Sequence, residues 1–268
     1  MHTSFCTIGF QKNKWGKDKR LETPLAAILQ VLAEAGYDGV EIWADHWMLA
    51  TPPEQEAILA QLADLTLRVA MISSYYDFTT SDESAGQSMT NARRILDAAR
   101  RLGSRGIRLF TGKTASRDAT PAQWSRCARC LQQLCDESAA DGILWCLETH
   151  SWNLMDTIEG SLRILREVGR PNIKLIFQPS TFGGDYMAAL DALAMHAAHV
   201  HATNHKGKER ALLADGEIDY RAVIGGLRRF GFDGFISVEW FGDDPAGVAR
   251  KESPYLRELI GSSSADRR

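Results

Sequence analysis

The amino-acid sequence predicts a single (β/α)8 TIM barrel, and three observations support this fold class. Short apolar segments that are typical of buried strands alternate with longer segments in which apolar residues recur at helical spacing. The alternation repeats eight times, which is the number of parallel units that closes a barrel. The length of 268 residues suits one barrel, and a hydrophobic content of 44% is enough for a large core.

The first four strands are predicted over residues 5–10, 40–43, 67–72 and 106–111. Pro24 and Pro53 each favour the first turn of a helix, so they open the helices that precede the second and third strands. The turn Gly36-Tyr37-Asp38-Gly39 ends the first of these helices. Helices over residues 84–102 and 121–140 follow the third and fourth strands and complete this half of the chain.

The last four strands are predicted over residues 143–148, 173–178, 199–201 and 235–239. The first of them is an apolar segment too short for a helix, and it follows the turn Asp141-Gly142. Helices cover residues 157–168 and 186–196, and a third helix begins after its N-cap, Asp219. A last helix over 245–260 completes the barrel domain, predicted over residues 1–260, and the Ser-rich, charged tail over residues 261–268 is expected to fray.

Composition and charge argue against several classes of partner. A formal net charge of -3 gives no basic excess of the kind that binds nucleic acid. No apolar segment has the length of a membrane span or a signal peptide, so we expect a cytoplasmic protein with no membrane partner. Five cysteines are an odd number, which indicates reduced thiols, and Cys127 and Cys135 are expected to pack in the core. The sequence leaves open whether the chain forms a homo-oligomer.

Four potential metal ligands stand at the ends of the last four predicted strands: Glu148, Gln178, His201 and Glu239. The carboxyl ends of the strands open onto the active site in a parallel barrel, and buried charges need a compensating partner or a metal. We therefore predict that these residues bind one divalent metal ion. Two carboxylates, an amide oxygen and an imidazole without a thiolate favour Mn²⁺, Mg²⁺ or Co²⁺, and they allow Zn²⁺.

Four protein ligands leave two positions for substrate in a six-coordinate site. A sugar can fill both with a carbonyl oxygen and the neighbouring hydroxyl, and the proton between them becomes acidic. Glu148 and Glu239 are the predicted catalytic residues, because they approach from well-separated sides and can remove and return that proton. Return to the opposite face is epimerisation, and return to the neighbouring carbon is isomerisation.

The loops after the strands carry aromatic, cationic and amide side chains that suit a polyhydroxylated ligand. The predicted substrate-binding residues are His150, Trp15, His46, Lys206 and Arg108. Glu41, in the second strand, and Arg108, in the fourth, are expected to pair with each other or to contact the substrate. The expected partner is therefore a small carbohydrate.

Segments Gly36–Trp43, Leu147–His150, His199–His201 and Ser237–Trp240 resemble the xylose isomerase-like TIM barrel superfamily, in particular sugar phosphate isomerase/epimerase proteins such as the ketose 3-epimerases. The resemblance covers nearly the whole chain. It implies a metal bound by Glu, Asp, His and Glu, whose two glutamates also transfer the protons. These roles fall on Glu148, Gln178, His201 and Glu239. The chain departs from the epimerases at Gln178, where they have Asp, and at Thr181, where they have a substrate-binding His.

The leading hypothesis is therefore a metal-dependent isomerase or epimerase that acts on a sugar, keto sugar or cyclitol. A second hypothesis is a lyase of the same barrel type, which removes water or an aglycone from a keto sugar after the same proton abstraction. An endonuclease IV-like phosphodiesterase is a third, but it requires a three-zinc cluster with more His and Asp ligands than these strand ends supply. A non-catalytic sugar-binding role is the remaining alternative, and the sequence does not identify the sugar.

Overall fold

A computed structural model describes residues 1–12, 14 and 21–261. Its strands are β1 (His2–Phe5), β2 (Gly39–Trp43), β3 (Arg68–Ser73), β4 (Gly106–Leu109), β5 (Leu144–Glu148), β6 (Ile173–Phe177), β7 (Ala197–Ala202), β8 (Asn204–Lys206), β9 (Glu209–Ala211) and β10 (Phe235–Val238). Its α-helices are α1 (Leu25–Glu34), α2 (Ala44–Met48), α3 (Pro52–Asp64), α4 (Asp82–Leu102), α5 (Pro121–Glu137), α6 (Ile158–Val168), α7 (Tyr186–Leu193), α8 (Tyr220–Arg229) and α9 (Pro245–Gly261). Short 3-10 helices cover Thr7–Phe10, Pro179–Asp185 and Ala194–His196.

One eight-stranded sheet has the strand order β1-β10-β7-β6-β5-β4-β3-β2. A parallel bridge between Cys6 and Glu41 joins the two ends of this order, just beyond β1. Consecutive parallel strands with intervening helices are the arrangement of the (β/α)8 barrel, so the predicted fold class is confirmed. The strands β8 and β9 form a separate antiparallel hairpin between β7 and α8.

Two compact units divide the chain, the first made of residues 1–70 and 201–268 and the second of residues 71–200. In the first unit, β1 pairs with β10 in parallel, from His2 opposite Phe235 to Phe5 opposite Val238. In the second unit, β5 pairs in parallel with β4 on one side and β6 on the other. The prediction of one domain over residues 1–260 stays a prediction. Of the predicted tail, Gly261 belongs to α9, and residues 262–268 lie outside the described residues.

Most helix ends follow the sequence rules from which they were predicted. Helix α1 begins directly after Pro24, and Asp219 caps α8 by accepting hydrogen bonds from the backbone N–H groups of Arg221 and Ala222. Cys127 and Cys135 are buried on α5, as predicted. Among the described residues, no helix is both long enough and apolar enough to cross a membrane.

The first strand is the clearest error of the sequence analysis, which predicted it over residues 5–10. The strand β1 is instead His2–Phe5, and Thr7–Phe10 form a 3-10 helix. The Thr7 hydroxyl accepts a hydrogen bond from the backbone N–H of Trp43, and a Cβ at Gly9 would collide with the carbonyl oxygen of Trp240. The 3-10 helix is buried throughout, so its apolar residues look like a continuation of the strand in the sequence.

Glu252 is a buried carboxyl group on α9. Its Oε1 accepts a hydrogen bond of 2.8 Å from the backbone N–H of Leu213. Burial, with a smaller contribution from the nearby charge of Asp215, raises the pKa of Glu252 to about 7, although the hydrogen bond from Leu213 acts in the opposite direction. The folded chain therefore favours the neutral form of this carboxyl group.

We expect Glu252→Gln to be more stable than the wild type at pH 8. At pH 5 the two proteins should have similar stability. A carboxyl whose pKa is raised from 4.5 to about 7 contributes full stability below pH 4.5 and loses it as the pH rises through 7. The loss is on the order of 3 kcal/mol at most. Urea unfolding of both proteins at pH 5 and pH 8 measures it, and an unchanged difference between the two pH values would refute the assignment.

Candidate active site

The four predicted metal ligands occupy the carboxyl ends of their strands. Glu148 is the last residue of β5, Gln178 follows β6, His201 is the second-last residue of β7, and Glu239 follows β10. All four side chains are buried. Their positions follow from the strand boundaries, because the carboxyl end of a barrel strand points toward the catalytic face.

In the first unit, the imidazole of His201 lies between two carboxylates. Its Nε2 is 3.0 and 3.1 Å from the two carboxylate oxygens of Glu41, and its Nδ1 is 4.0 Å from Oε1 of Glu239. The side chains of His201 and Glu41 are fully buried. When Nε2–H donates to Glu41, Nδ1 carries the lone pair, which is the tautomer that can bind a metal on the Glu239 side.

The contact between Glu41 and His201 was missed by the sequence analysis, which expected Glu41 to meet Arg108 or substrate. The two residues are 160 positions apart in the chain, so no local pattern links them. The available signal was a single acid inside an otherwise apolar strand, β2, where a charge requires a partner.

In the second unit, Arg108 is the partner of Glu148. Nη1 of Arg108 lies 2.7 Å from Oε2 of Glu148, and the two side chains are 4% and 2% exposed. The guanidinium also lies over the rings of Tyr75 and Phe110, 4.6 and 4.8 Å from their centroids. This ion pair gives the buried carboxylate of Glu148 a positively charged partner. The prediction that Arg108 binds substrate stays a prediction.

The loop after β5 shapes the surroundings of Glu148. Asn153 donates a hydrogen bond to the backbone carbonyl of Glu148, which fixes the end of the strand. His150 is half-buried, and its ring lies 5.5 Å from Phe110 and 4.5 Å from Trp152 between centroids. His150 therefore belongs to an aromatic wall in the same unit as Glu148, and its predicted contact with substrate stays a prediction.

The other predicted substrate-binding residues have different surroundings. His46 is buried, with Nδ1 3.0 Å from the Thr7 hydroxyl and Nε2 2.6 Å from the side-chain amide of Gln11. Burial lowers the pKa of His46 to about 4, so its ring is neutral at physiological pH. Lys206 is exposed on β8, and Trp15 lies outside the described residues. Their roles in binding substrate stay predictions.

The donor groups fit a divalent metal ion. Buried Glu and His side chains of the described residues form groups that can hold one. Two ligand atoms about 2.1 Å from one ion lie at most about 4.2 Å apart, so the 4.0 Å between His201 Nδ1 and Glu239 Oε1 is compatible with a shared ion. The carboxylate of Glu41 on the far nitrogen is the usual support of a metal-binding histidine.

Comparisons with known proteins agree with this fold. A family model described as "Xylose isomerase-like TIM barrel" matches residues 29–259. The chain is 25% identical to a 3-dehydroshikimate dehydratase of Bacillus anthracis, with 96% of each chain covered. It is 26% identical to an L-ribulose 3-epimerase of Mesorhizobium japonicum, with 88% of this chain and 82% of the relative covered.

Solved structures share the architecture. A probable 3-DHS dehydratase from Bacillus anthracis superimposes with a TM-score of 0.82 at 24% identity, covering 96% of this chain and 98% of that one. A xylose isomerase-like TIM barrel protein from Mycobacterium smegmatis in complex with magnesium has a TM-score of 0.79 at 16% identity and 98% coverage of both chains. A protein with a bound zinc atom has a TM-score of 0.76 at 18% identity, covering 98% and 99% of the two chains.

Glu41→Gln should weaken the binding of Mn²⁺ about ten-fold or more, because the neutral amide no longer supports His201 through a charged hydrogen bond. Isothermal titration of the metal-free protein with Mn²⁺ measures this directly. Glu34→Gln is the control, since Glu34 is an exposed carboxylate of α1. Equal Mn²⁺ affinity in the wild type and Glu41→Gln, with both proteins folded, would exclude a role for Glu41 in metal binding.

Proposed function

This chain belongs to the xylose isomerase-like TIM barrel family, and from that premise we propose that it is a metal-dependent lyase that removes water from a keto-cyclitol or keto sugar. The observation that carries the proposal is the match to a 3-dehydroshikimate dehydratase, which covers 96% of both chains. The aligned region therefore spans almost the whole barrel.

Glu148, Gln178, His201 and Glu239 are the residues that we propose as ligands of one divalent ion, Mn²⁺, Mg²⁺ or Co²⁺. Support comes from their burial and from the consecutive order β5, β6, β7 and β10 of their strands in the sheet. The ion would polarise a substrate carbonyl and make the neighbouring C–H acidic. Gln178 in place of an acid leaves two glutamates against the divalent charge, so the ligand set is close to neutral.

The pair formed by Arg108 and Glu148 favours elimination over epimerisation. Epimerisation with two carboxylates requires each of them to carry the proton in turn. The guanidinium of Arg108, 2.7 Å from Oε2 of Glu148, stabilises the charged carboxylate and opposes its protonation. Elimination requires only one base at carbon, so the ion pair between Glu148 and Arg108 does not hinder it.

We assign the base to Glu239 and the acid to His150. Glu239 takes the proton from the carbon next to the carbonyl, and the electron pair of that C–H bond forms a C=C bond. The C–O bond of the neighbouring hydroxyl breaks, and His150 gives the departing oxygen a proton so that it leaves as water. The half-exposed position of His150 suits this role, because the ring must recover its proton from solvent afterwards.

An epimerase is the second candidate, and a specific observation favours it. The L-ribulose 3-epimerase matches 88% of this chain at 26% identity, close to the identity of the dehydratase. In that reaction, Glu148 would return a proton to the face opposite Glu239. The departures at Gln178 and Thr181 from the epimerase pattern count against this candidate.

The product of the reaction separates the two candidates. We expect the protein with Mn²⁺ to convert 3-dehydroshikimate into a dehydrated, conjugated product that absorbs in the ultraviolet, and Glu239→Gln to slow this at least 100-fold because it removes the base. Nuclear magnetic resonance in heavy water, on the same sample and on a panel of keto sugars, detects exchange at carbon independently.

His150→Gln should slow dehydration but leave exchange of the acidic hydrogen intact, since it removes only the acid. Trp152→Phe is the control, because it keeps an aromatic ring beside His150. Deuterium incorporation into a keto sugar together with formation of its epimer, and no dehydration of any compound, would reject the lyase and support the epimerase.

A further inference from the structure

Two cationic side chains of the first unit lie against the ring of Phe241, two residues after Glu239. Nζ of Lys14 is 5.2 Å and Cζ of Arg210 is 5.0 Å from the centroid of this ring. Lys14 comes from the loop after β1, Arg210 from β9, and Phe241 from the loop after β10. Each of these segments follows the carboxyl end of a barrel strand, so Lys14 and Arg210 belong to the catalytic face.

The surrounding backbone fixes the loop that carries Phe241. Gly9 approaches the carbonyl oxygen of Trp240 so closely that no side chain fits between them. The indole N–H of Trp240 donates a hydrogen bond of 2.8 Å to the carbonyl of Asp243. Lys14 is held from the other side, because its ammonium donates a hydrogen bond of 2.8 Å to the backbone carbonyl of Gln11.

Arg210 is positioned by the β8–β9 hairpin, where it pairs with His205. The side-chain amide of Asn204 donates hydrogen bonds of 3.0 Å to the carbonyls of Leu213 and Ile218, which anchors the base of the hairpin. Neighbouring strand residues point to opposite faces, so Lys206 and Glu209 share the face opposite to Arg210. The cation of this hairpin that reaches Phe241 is therefore Arg210, which the sequence analysis missed.

The positive charge of Arg210 destabilises the charged form of Lys14. The pKa of Lys14 is lowered first by burial and next by the positive charge of Arg210, and burial also lowers the pKa of Arg210. Glu239 is the acidic group whose charge acts on Arg210. Arg210 is an exposed residue whose guanidinium lies over the ring of Phe241, close enough to Glu239 for the charge of that carboxylate to act on it.

We propose that Lys14 and Arg210 bind a carboxylate of the substrate over the ring of Phe241, next to Glu239. This inference rests on the proposed function and names its substrate class, a keto-cyclitol or keto sugar that carries a carboxylate. An anion between the two cations relieves their repulsion. The planar guanidinium offers two parallel N–H donors that match the two oxygens of a carboxylate, and the ammonium adds a point charge.

Isothermal titration with Mn²⁺ present tests this inference through binding. The probes are shikimate, a carboxylate that lacks the keto group and so cannot undergo the proposed elimination, 2-keto-D-gluconate as a carboxylate with a keto group, D-fructose as a neutral keto sugar, and D-fructose 6-phosphate as a phosphate. We expect a carboxylate to bind the wild type more tightly than D-fructose does. Arg210→Gln and Lys14→Gln should each weaken that binding about ten-fold, since each removes a charged hydrogen bond.

Lys208→Gln is the matched control, because Lys208 is an exposed cation in the turn of the same hairpin. It should leave carboxylate binding unchanged, and all three variants should keep the Mn²⁺ affinity of the wild type. The inference is overturned if neither carboxylate binds the wild type, if the two variants bind it as well as the wild type does, or if the phosphate binds more tightly than both carboxylates. Carboxylate binding that depends on Lys14 and Arg210, with no dehydration of 3-dehydroshikimate or any keto sugar in the product assay, would instead reject the lyase and keep the carboxylate site.

Discussion

Burying an unpaired carboxyl group costs free energy, so the buried carboxyl groups Glu148, Glu41 and Glu252 each have a positively charged or hydrogen-bonding partner. Glu148 meets Arg108 at 2.7 Å, and Glu41 meets His201 at 3.0 Å. Glu252 is held by the N–H of Leu213 and has its pKa raised to about 7. The first two pairs include predicted site residues. Burial of their charges lowers the stability of the folded chain, and the same charges can bind a metal ion and transfer a proton.

The fold was predictable because its signals are local. Periodicity located seven of the eight barrel strands, and the capping residue Asp219 located the start of α8. The errors occur where tertiary contacts decide the conformation. Thr7–Phe10 leave the strand because Thr7 bonds to Trp43 and Gly9 fits against Trp240, and neither contact is visible in the local sequence. The hairpin of β8 and β9 lies in a polar segment without the apolar alternation that identifies a strand.

The candidate site was predictable in part for the same reason. Strand ends can be located from sequence, so Glu148 and Glu239 could be placed at the catalytic face. Glu41 could not be assigned to His201, because that choice depends on which of several buried groups approach in three dimensions. Arg210 follows three other basic residues, His205, Lys206 and Lys208, and only the hairpin register shows which of the four faces Phe241.

The catalytic account depends on the proposal that side chains at the carboxyl ends of β5, β6, β7 and β10 bind one metal ion. Its most direct test is the metal content of the purified protein after equilibration with Mn²⁺ and removal of loosely bound ions, measured by mass spectrometry. The account predicts one ion per wild-type chain and none in a folded variant that combines His201→Ala with Glu239→Ala. A wild type without bound metal, or a double variant that retains it, would contradict the account.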